Sequence, residues 1–296
     1  MYAYSLKEME GEIGLKQDFV KVLAAVPQPS DGCQALSDVC AEAVISAADS
    51  GAALVVLPEL CLAEDICSER FLDQDALDGI WDELKRFMEK TAFLPCVCVV
   101  GLPLCHEGKL YDCAAVTQGG MLLGLVPKTH IPRNQENAYF TPAPKSNLTY
   151  EFEGNYIQLG VKQIFVHTGE PAFRFCVELG EDGDMMISPA TYSAMAGATM
   201  ICHPTIQETP MRRLLLTAQS HRLSAAYLSA PREGASLIAI DGVASDRMAE
   251  NVPLSALAYA RRQRDTFVNE MAGEYTEVYF DLNFTPLTID TEGEWS

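Results

Sequence analysis

Apolar positions recur along the chain in two periods, and the switching between them outlines a layered protein. Residues 19–26 (FVKVLAAV) alternate at strand spacing until Pro27 and Pro29 end the run. Residues 35–49 take up the helical period, with Cys40, Val44 and Ala47/Ala48 on one face, and Ser50-Gly51 closes the segment. Residues 53–57 form a short, nearly all-apolar strand of the kind buried on both faces. Leu77, Ile80/Trp81, Leu84 and Phe87/Met88 predict an amphipathic helix over 73–91. A buried strand follows at 96–102. A hairpin of 111–118 and 121–128 turns at Gly119-Gly120. Further strands are expected at 174–179, 199–203, 227–230, 237–240 and 277–282, with helices over 188–197 and 211–226. Strands alternating with helices predict an α/β fold. With no repeat, low-complexity tract or linker, the simplest organisation is one domain over 19–282. Residues 1–18 are then an N-terminal extension and 283–296 a C-terminal tail.

Composition narrows the partners. Of 296 residues, 48% are hydrophobic and 21% charged, the balance of an ordinary globular protein. Acidic residues number 41 against 21 basic ones, for a net charge of −20. Such a surface repels phosphate backbones and anionic lipid, so neither nucleic acid nor membrane is expected as a partner. No apolar run reaches the roughly 18–20 residues of a membrane span. The N-terminus lacks a cationic start followed by an apolar block, so the expected compartment is the cytoplasm. The ten cysteines are scattered, several inside apolar runs such as PCVCVVGLPLC, which predicts buried, reduced thiols. Cys96 and Cys98 share a strand face, but no second pair completes metal spacing, and no Gly-rich nucleotide loop occurs. No metal or cofactor is expected.

Three short stretches hold candidate chemistry. Glu59, in Pro58-Glu59-Leu60, follows a buried strand, where ligand sites of open α/β sheets commonly lie. Lys128, boxed by Pro127 and Pro132, ends a hairpin strand and suits oxyanion stabilisation or proton donation. The run FRFCVELGED ends a strand and turns at Gly180 into Glu181-Asp182. A sharp turn after a strand is where hydrolases mount a nucleophile, yet glycine offers no side chain. Each stretch alone also reads as an ordinary loop glutamate, surface lysine or turn glycine.

Together, in this order and spacing, the three resemble the nitrilase (carbon–nitrogen hydrolase) superfamily, and more specifically the glutaminase domain of glutamine-dependent NAD synthetases. The supporting stretches are VVLPELCL, VVGLPL, GKLYDCAAVTQGG, LLGLVPKTHIP, VELGED, SPATYSAMAGATMI and RRLLLTAQSHR, spread over nearly the whole chain. The resemblance implies a four-layer α-β-β-α sandwich with a Glu, Lys and Cys catalytic set. It places Glu59 at the general-base position, Lys128 at the lysine position and Gly180 at the position of the nucleophilic cysteine. Cys176, four residues back on the same strand, lies about 13 Å away at about 3.3 Å per residue and is no simple substitute. Two other departures agree. The stretch RNQENAYF (133–140) is shorter than in the family, leaving Glu136 as the stand-in for a second, substrate-binding glutamate. The segment PREGASLIAIDG (231–242) runs on as though a strand were lost. The ammonia-using synthetase half is expected to be missing from this chain.

The resulting expectation is a degenerate, non-catalytic glutaminase-like domain acting as a structural or regulatory partner in NAD synthesis. It would assemble as a homodimer or higher oligomer, or with an NAD synthetase, through the outer helices. The rivals are an active carbon–nitrogen hydrolase supplying ammonia from glutamine through a nucleophile not yet placed, and a small-molecule sensor.

Overall fold

The computed structural model describes residues 15–16, 18–27, 35–63, 74–132, 139–264 and 272–283. Two sheets stack face to face. The first contains β1 (Leu15–Lys16), β2 (Phe19–Ala24), β3 (Leu54–Val56), β4 (Val97–His106), β5 (Lys109–Gln118), β6 (Met121–Pro127), β7 (Leu148–Phe152) and β8 (Asn155–Leu159). Its strand order is β1-β2-β3-β4-β5-β6-β8-β7, and β15 (Ala249–Pro253) also pairs with β2. The second contains β9 (Gln163–His167), β10 (Arg174–Val177), β11 (Met200–Gln207), β12 (Ala226–Glu233), β13 (Leu237–Ile240), β14 (Val243–Ser245) and β16 (Thr276–Phe280), in the order β14-β13-β12-β11-β10-β9-β16.

Strand alternation decides which layer each side chain joins. In β3, Leu54 and Val56 face the second sheet while Val55 faces outward. In β10, Phe175 and Val177 face the first sheet while Cys176 faces outward. The inward sets meet in a core that includes Val22, Val99, Phe165, Phe173, Phe175 and Leu228. Outside the first sheet lie α1 (Leu36–Asp49) and α2 (Gln74–Thr91), which bury Cys40, Val44, Leu84 and Phe87 against Val55, Cys98 and Val100. Outside the second lie α3 (Pro189–Met195) and α4 (Pro210–Arg222), which set Ala190 and Leu216 on Ile201 and Tyr227. The order of layers is therefore helix, sheet, sheet, helix, as the resemblance implied. A fifth helix, α5 (Leu254–Arg264), follows β15.

Several expectations need correction. The helix expected over 211–226 stops at Arg222, and Ala226 already pairs with Met200 in the second sheet. The chain reverses at Ser224, whose φ is +45°, without the glycine or proline that would mark the stop. The strand expected at 237–240 is present as β13 and pairs antiparallel with β12, Leu237 opposite Ser229, so the segment 231–242 keeps a strand next to β12. The region 148–167 carries three strands that were not assigned. Its β7–β8 hairpin turns at Glu153-Gly154, both at positive φ as a tight two-residue turn requires. Residues 15–16 of the expected extension pair with β2 as β1. Seven of the eight described cysteines are buried. No helix among the described residues is long and apolar enough to cross a membrane.

Candidate functional site

The ends of β3, β6 and β10 converge at one point between the sheets. Glu59 reaches it from a tight corner after β3. Leu60 there has φ +51°, Leu62 N–H donates to the Gly101 carbonyl at 3.1 Å, and Ala63 N–H donates to Leu60 O at 3.0 Å. The corner fits only because position 101 lacks a side chain, since a Cβ there would collide with the backbone of Pro58 and Leu60. Arg232 of β12 braces the same corner, donating to Leu60 O at 3.1 Å and Ala63 O at 3.0 Å. Lys128 is fixed at the end of β6 by its N–H on Asp112 O and by Ala143 N–H on its own carbonyl, both 2.8 Å. Gly180 opens a 3-10 turn, Gly180–Asp184, directly after β10 and Leu179.

At this point one ammonium meets three carboxylates. Lys128 Nζ pairs with Glu59 Oε1, with Glu181 Oε2 at 2.5 Å and with Asp112 Oδ2 at 3.6 Å. The Lys128 and Glu59 side chains are 3% and 1% exposed. Burial works to lower the lysine pKa, but the surrounding carboxylates outweigh it and hold the ammonium above its ordinary range. Burial, then the charge of Glu59, pushes Asp112 well up. Burial also opposes ionisation of Glu181, yet Lys128 keeps that carboxyl below its ordinary value. Glu59 Oε2 accepts from Ile206 N–H at 3.1 Å.

Gly180 lies against this cluster with φ +46°, the left-handed region that glycine enters freely. A Cβ on it would sit 2.5 Å from Glu59 Oε2 and 2.8 Å from Lys128 Nζ. The space beside residue 180 is thus already filled by the acid and the lysine. The turn is held without help from a side chain at 180. His203 Nε2 donates to Gly180 O at 2.9 Å, and burial holds its ring neutral with a pKa near 4. Asp182 accepts the N–H groups of Thr129 at 2.9 Å and His130 at 2.5 Å, tying the turn to the segment after Lys128. Arg212 of α4 grips Asp184 through Nε at 3.1 Å and Nη2 at 2.6 Å and donates to Gln207 O at 2.7 Å.

The structure brings together Glu59, Lys128 and Gly180 of the sequence-derived set. Glu136 lies outside the described residues. Cys176 points into the outer layer under α3, and Cys202 into the core between the sheets, so neither thiol takes the place of residue 180. Two adjacent arginines near the start of α4 are satisfied within the chain: Arg212 by Asp184, Arg213 by Asp246. Asp112, Glu178, His203 and Arg212 were missed as site residues. Asp112 carried a signal, being a lone charge in an apolar strand on the face that alternation sends inward. His203, between Cys202 and Pro204 in a strand, carried a weaker one of the same kind. Among the described residues, no group of three or more His, Cys, Asp and Glu is placed to hold a metal.

Comparisons with known proteins bear on the family and the fold. The carbon-nitrogen hydrolase family pattern matches residues 23–227. Over 190 residues the chain is 34% identical to the glutamine-dependent NAD(+) synthetase of Mycobacterium bovis, covering 62% of this chain and 28% of that protein. Over 109 residues it is 26% identical to the corresponding enzyme of Saccharomyces cerevisiae, covering 36% and 15%. The alignments thus span well under a third of those relatives' own length. The crystal structure of a glutamine-dependent NAD(+) synthetase from Cytophaga hutchinsonii superimposes with a TM-score of 0.66 at 19% identity, over 79% of this chain and 42% of that one. An amidase from Nesterenkonia, caught after Michael addition of acrylamide at its active site cysteine, gives 0.54 at 16% identity, over 76% and 86%. The chain belongs to the carbon-nitrogen hydrolase family.

Glu178, next to the turn, gives this site a pH signature. Burial, then the nearby charge of Asp182, raises its pKa from the ordinary 4.5 to about 7, although its Oε2 accepts Ala190 N–H at 3.1 Å. The folded state therefore holds a proton that the unfolded chain releases above pH 4.5. This contribution is full below that pH and is lost as pH rises towards 7. At about 1.4 kcal/mol per pH unit the loss is about 3 kcal/mol. Urea titrations of wild type and Glu178→Gln should diverge across this window, the wild type falling relative to the variant as pH rises. Parallel curves would contradict the assignment.

Proposed function

We propose that this carbon-nitrogen hydrolase family member is a degenerate, non-catalytic glutaminase-like domain that serves as a structural or regulatory partner in glutamine-dependent NAD synthesis. The observation that carries this reading is the closed contact at Gly180. The acid and the lysine of the set are present, but the position that would carry their nucleophile has no side chain, and the ends of those two side chains stand 2.5 and 2.8 Å from where its Cβ would be. Water held by Glu59 would have to enter a cluster whose lysine and acid are nearly inaccessible. Loss of a hydrolytic nucleophile typically lowers kcat by about six decades. A small-molecule sensor that kept the fold and lost the chemistry is the second reading. It is favoured by the intact packing of the Gly180 turn onto Asp182, His203 and Arg212.

The first test is ammonia release from glutamine and from asparagine. We expect turnover far below the ~1 per second of an ordinary enzyme. Turnover at that level would sink the reading and point to a hydrolase working through another group.

Restoring the thiol alone should fail. In Gly180→Cys the new Cβ meets Glu59 and Lys128 at 2.5 and 2.8 Å, and the left-handed backbone costs about 1–2 kcal/mol for a residue with a side chain. A catalytic group displaced by about 1 Å loses about a hundredfold in rate. The variant should remain without enzyme-like glutaminase turnover even where a thiol reagent labels Cys at 180. Recovery to ~1 per second would show that the pocket had survived intact.

The assembly proposed for this domain is a homodimer through α4. That helix exposes Met211, Leu214 and Leu215 at the spacing of one face, with Leu214 66% exposed. In a chain of net charge −20, like charges oppose self-association everywhere except at such an uncharged face. Light scattering at tens of micromolar should give about twice the chain mass of 32.4 kDa, and Leu214→Glu should return it to the monomer. A wild-type monomer excludes this assembly and leaves an NAD synthetase as the partner to look for.

A further inference from the structure

A cleft of about 610 Å³ opens on the outer side of the Gly180 turn, apart from the closed ion cluster. Its size is within the usual range for small-molecule sites, about 300–1,000 Å³. Val161, Met185, Met186 and Ile187 line it together with the rings of Tyr192 and Tyr275. Met186 is 92% exposed and Ile187 57%, a cost in apolar surface that a ligand would remove. The two tyrosines come from α3 and from the segment before β16, so the walls belong to separate elements. Burial raises the Tyr275 hydroxyl to about 12, so Tyr275 borders the cleft as a neutral phenol.

Lys162 and Glu274 neutralise each other at 2.6 Å. Asp182 also lines the cleft, with its oxygens turned to the N–H groups of Thr129 and His130. Two tyrosine rings in the lining and a net charge of −20 favour a cation and disfavour an anion. The apolar floor demands that the cation carry a hydrocarbon or aromatic body.

We propose that this cleft is a binding site for a small organic amine, its ammonium directed to the exposed Glu274 carboxylate and its apolar body laid between Tyr192, Tyr275 and the methionines. The site does not depend on whether the Glu59–Lys128 cluster hydrolyses anything, so its failure and that of the reading above are separable. Its occupant touches Thr129 and His130, which follow Lys128, and Asp182, which follows Gly180. A ligand there would tighten the join between the two sheets.

The test uses the full chain with 2-phenylethylamine and, as the charge control, 3-phenylpropionate, each at ~5 mM in a thermal-shift titration. The amine should raise Tm and the carboxylate should not. Tyr192→Ala removes one ring face and should weaken amine binding about threefold to tenfold. Glu274→Gln leaves Lys162 unpaired at the rim and should weaken it about threefold. Both side chains are substantially exposed, so both variants should fold with the wild-type Tm in the absence of ligand. The proposal is overturned by no shift with the amine, by an equal shift with the carboxylate, or by amine binding that neither substitution weakens.

Discussion

The structure around the candidate site depends on a single buried ammonium. Lys128 lies where water cannot solvate it, and an unpaired charge in that position would cost several kcal/mol. Three carboxylates answer it, and they come from three different places. Glu59 is at the end of β3, Asp112 lies in β5, and Glu181 is in the turn after β10. The first two belong to one sheet and the third to the other. The ion cluster is therefore also a tie between the sheets, set in a core that is otherwise aliphatic and aromatic. Breaking it from any one side leaves charge stranded in that core. Burial, and after it the charge of Glu59, drives Asp112 towards its protonated form, while Lys128 holds Glu181 in its charged form.

Against that cluster, the glycine at 180 has two consequences that pull the same way. Its φ of +46° is free of strain, so the turn needs no compensation of the kind that a side chain there would demand. Its missing side chain lets Glu59 and Lys128 close on each other. The backbone shape that would present a nucleophile is then maintained entirely by neighbours. His203 holds the carbonyl of Gly180, Asp182 holds the segment after Lys128, and Arg212 holds Asp184. None of these contacts would be altered by the identity of residue 180. Fold and chemistry are separable here because the scaffold of the turn is polar and external to the reacting position.

What was legible in the sequence follows from where the signal was local. Leu54–Val56, Gln74–Thr91 and the β5–β6 hairpin declare themselves through period and turn residues, and they match to within a few residues. The layered order and the meeting of Glu59, Lys128 and Gly180 followed from the family resemblance, since periodicity supports no more than α/β. The misses are of another kind. The β7–β8 hairpin was overlooked although Leu148, Tyr150 and Phe152 alternate, because its strands are half exposed and polar between the large side chains. The end of α4 has no glycine or proline and is imposed by β12, which takes Ala226 into the sheet. Asp112 becomes a site residue only when β5 is set beside the ends of β3 and β6. Arg212 reads as a surface cation until α4 is packed over the 3-10 turn and Asp184 comes within reach.

The same turn separates two environments of opposite character. On its inner side the charges are buried: the Lys128 and Glu59 side chains are almost wholly inaccessible and paired with each other. On its outer side the charges are sparse and apolar groups lie uncovered, so burial of a hydrocarbon surface is favourable. Asp182 belongs to both. Burial lifts its pKa to about 7, opposed by the N–H groups of Thr129 and His130 and by Lys128. A cation brought to the outer face favours the charged form of Asp182, which strengthens its hold on Thr129 and His130 and hence on the segment that carries Lys128. Asp182 is thus a polar connection from the outer face to the segment that carries Lys128. Such a connection can transmit the presence of a ligand without any bond being made or broken.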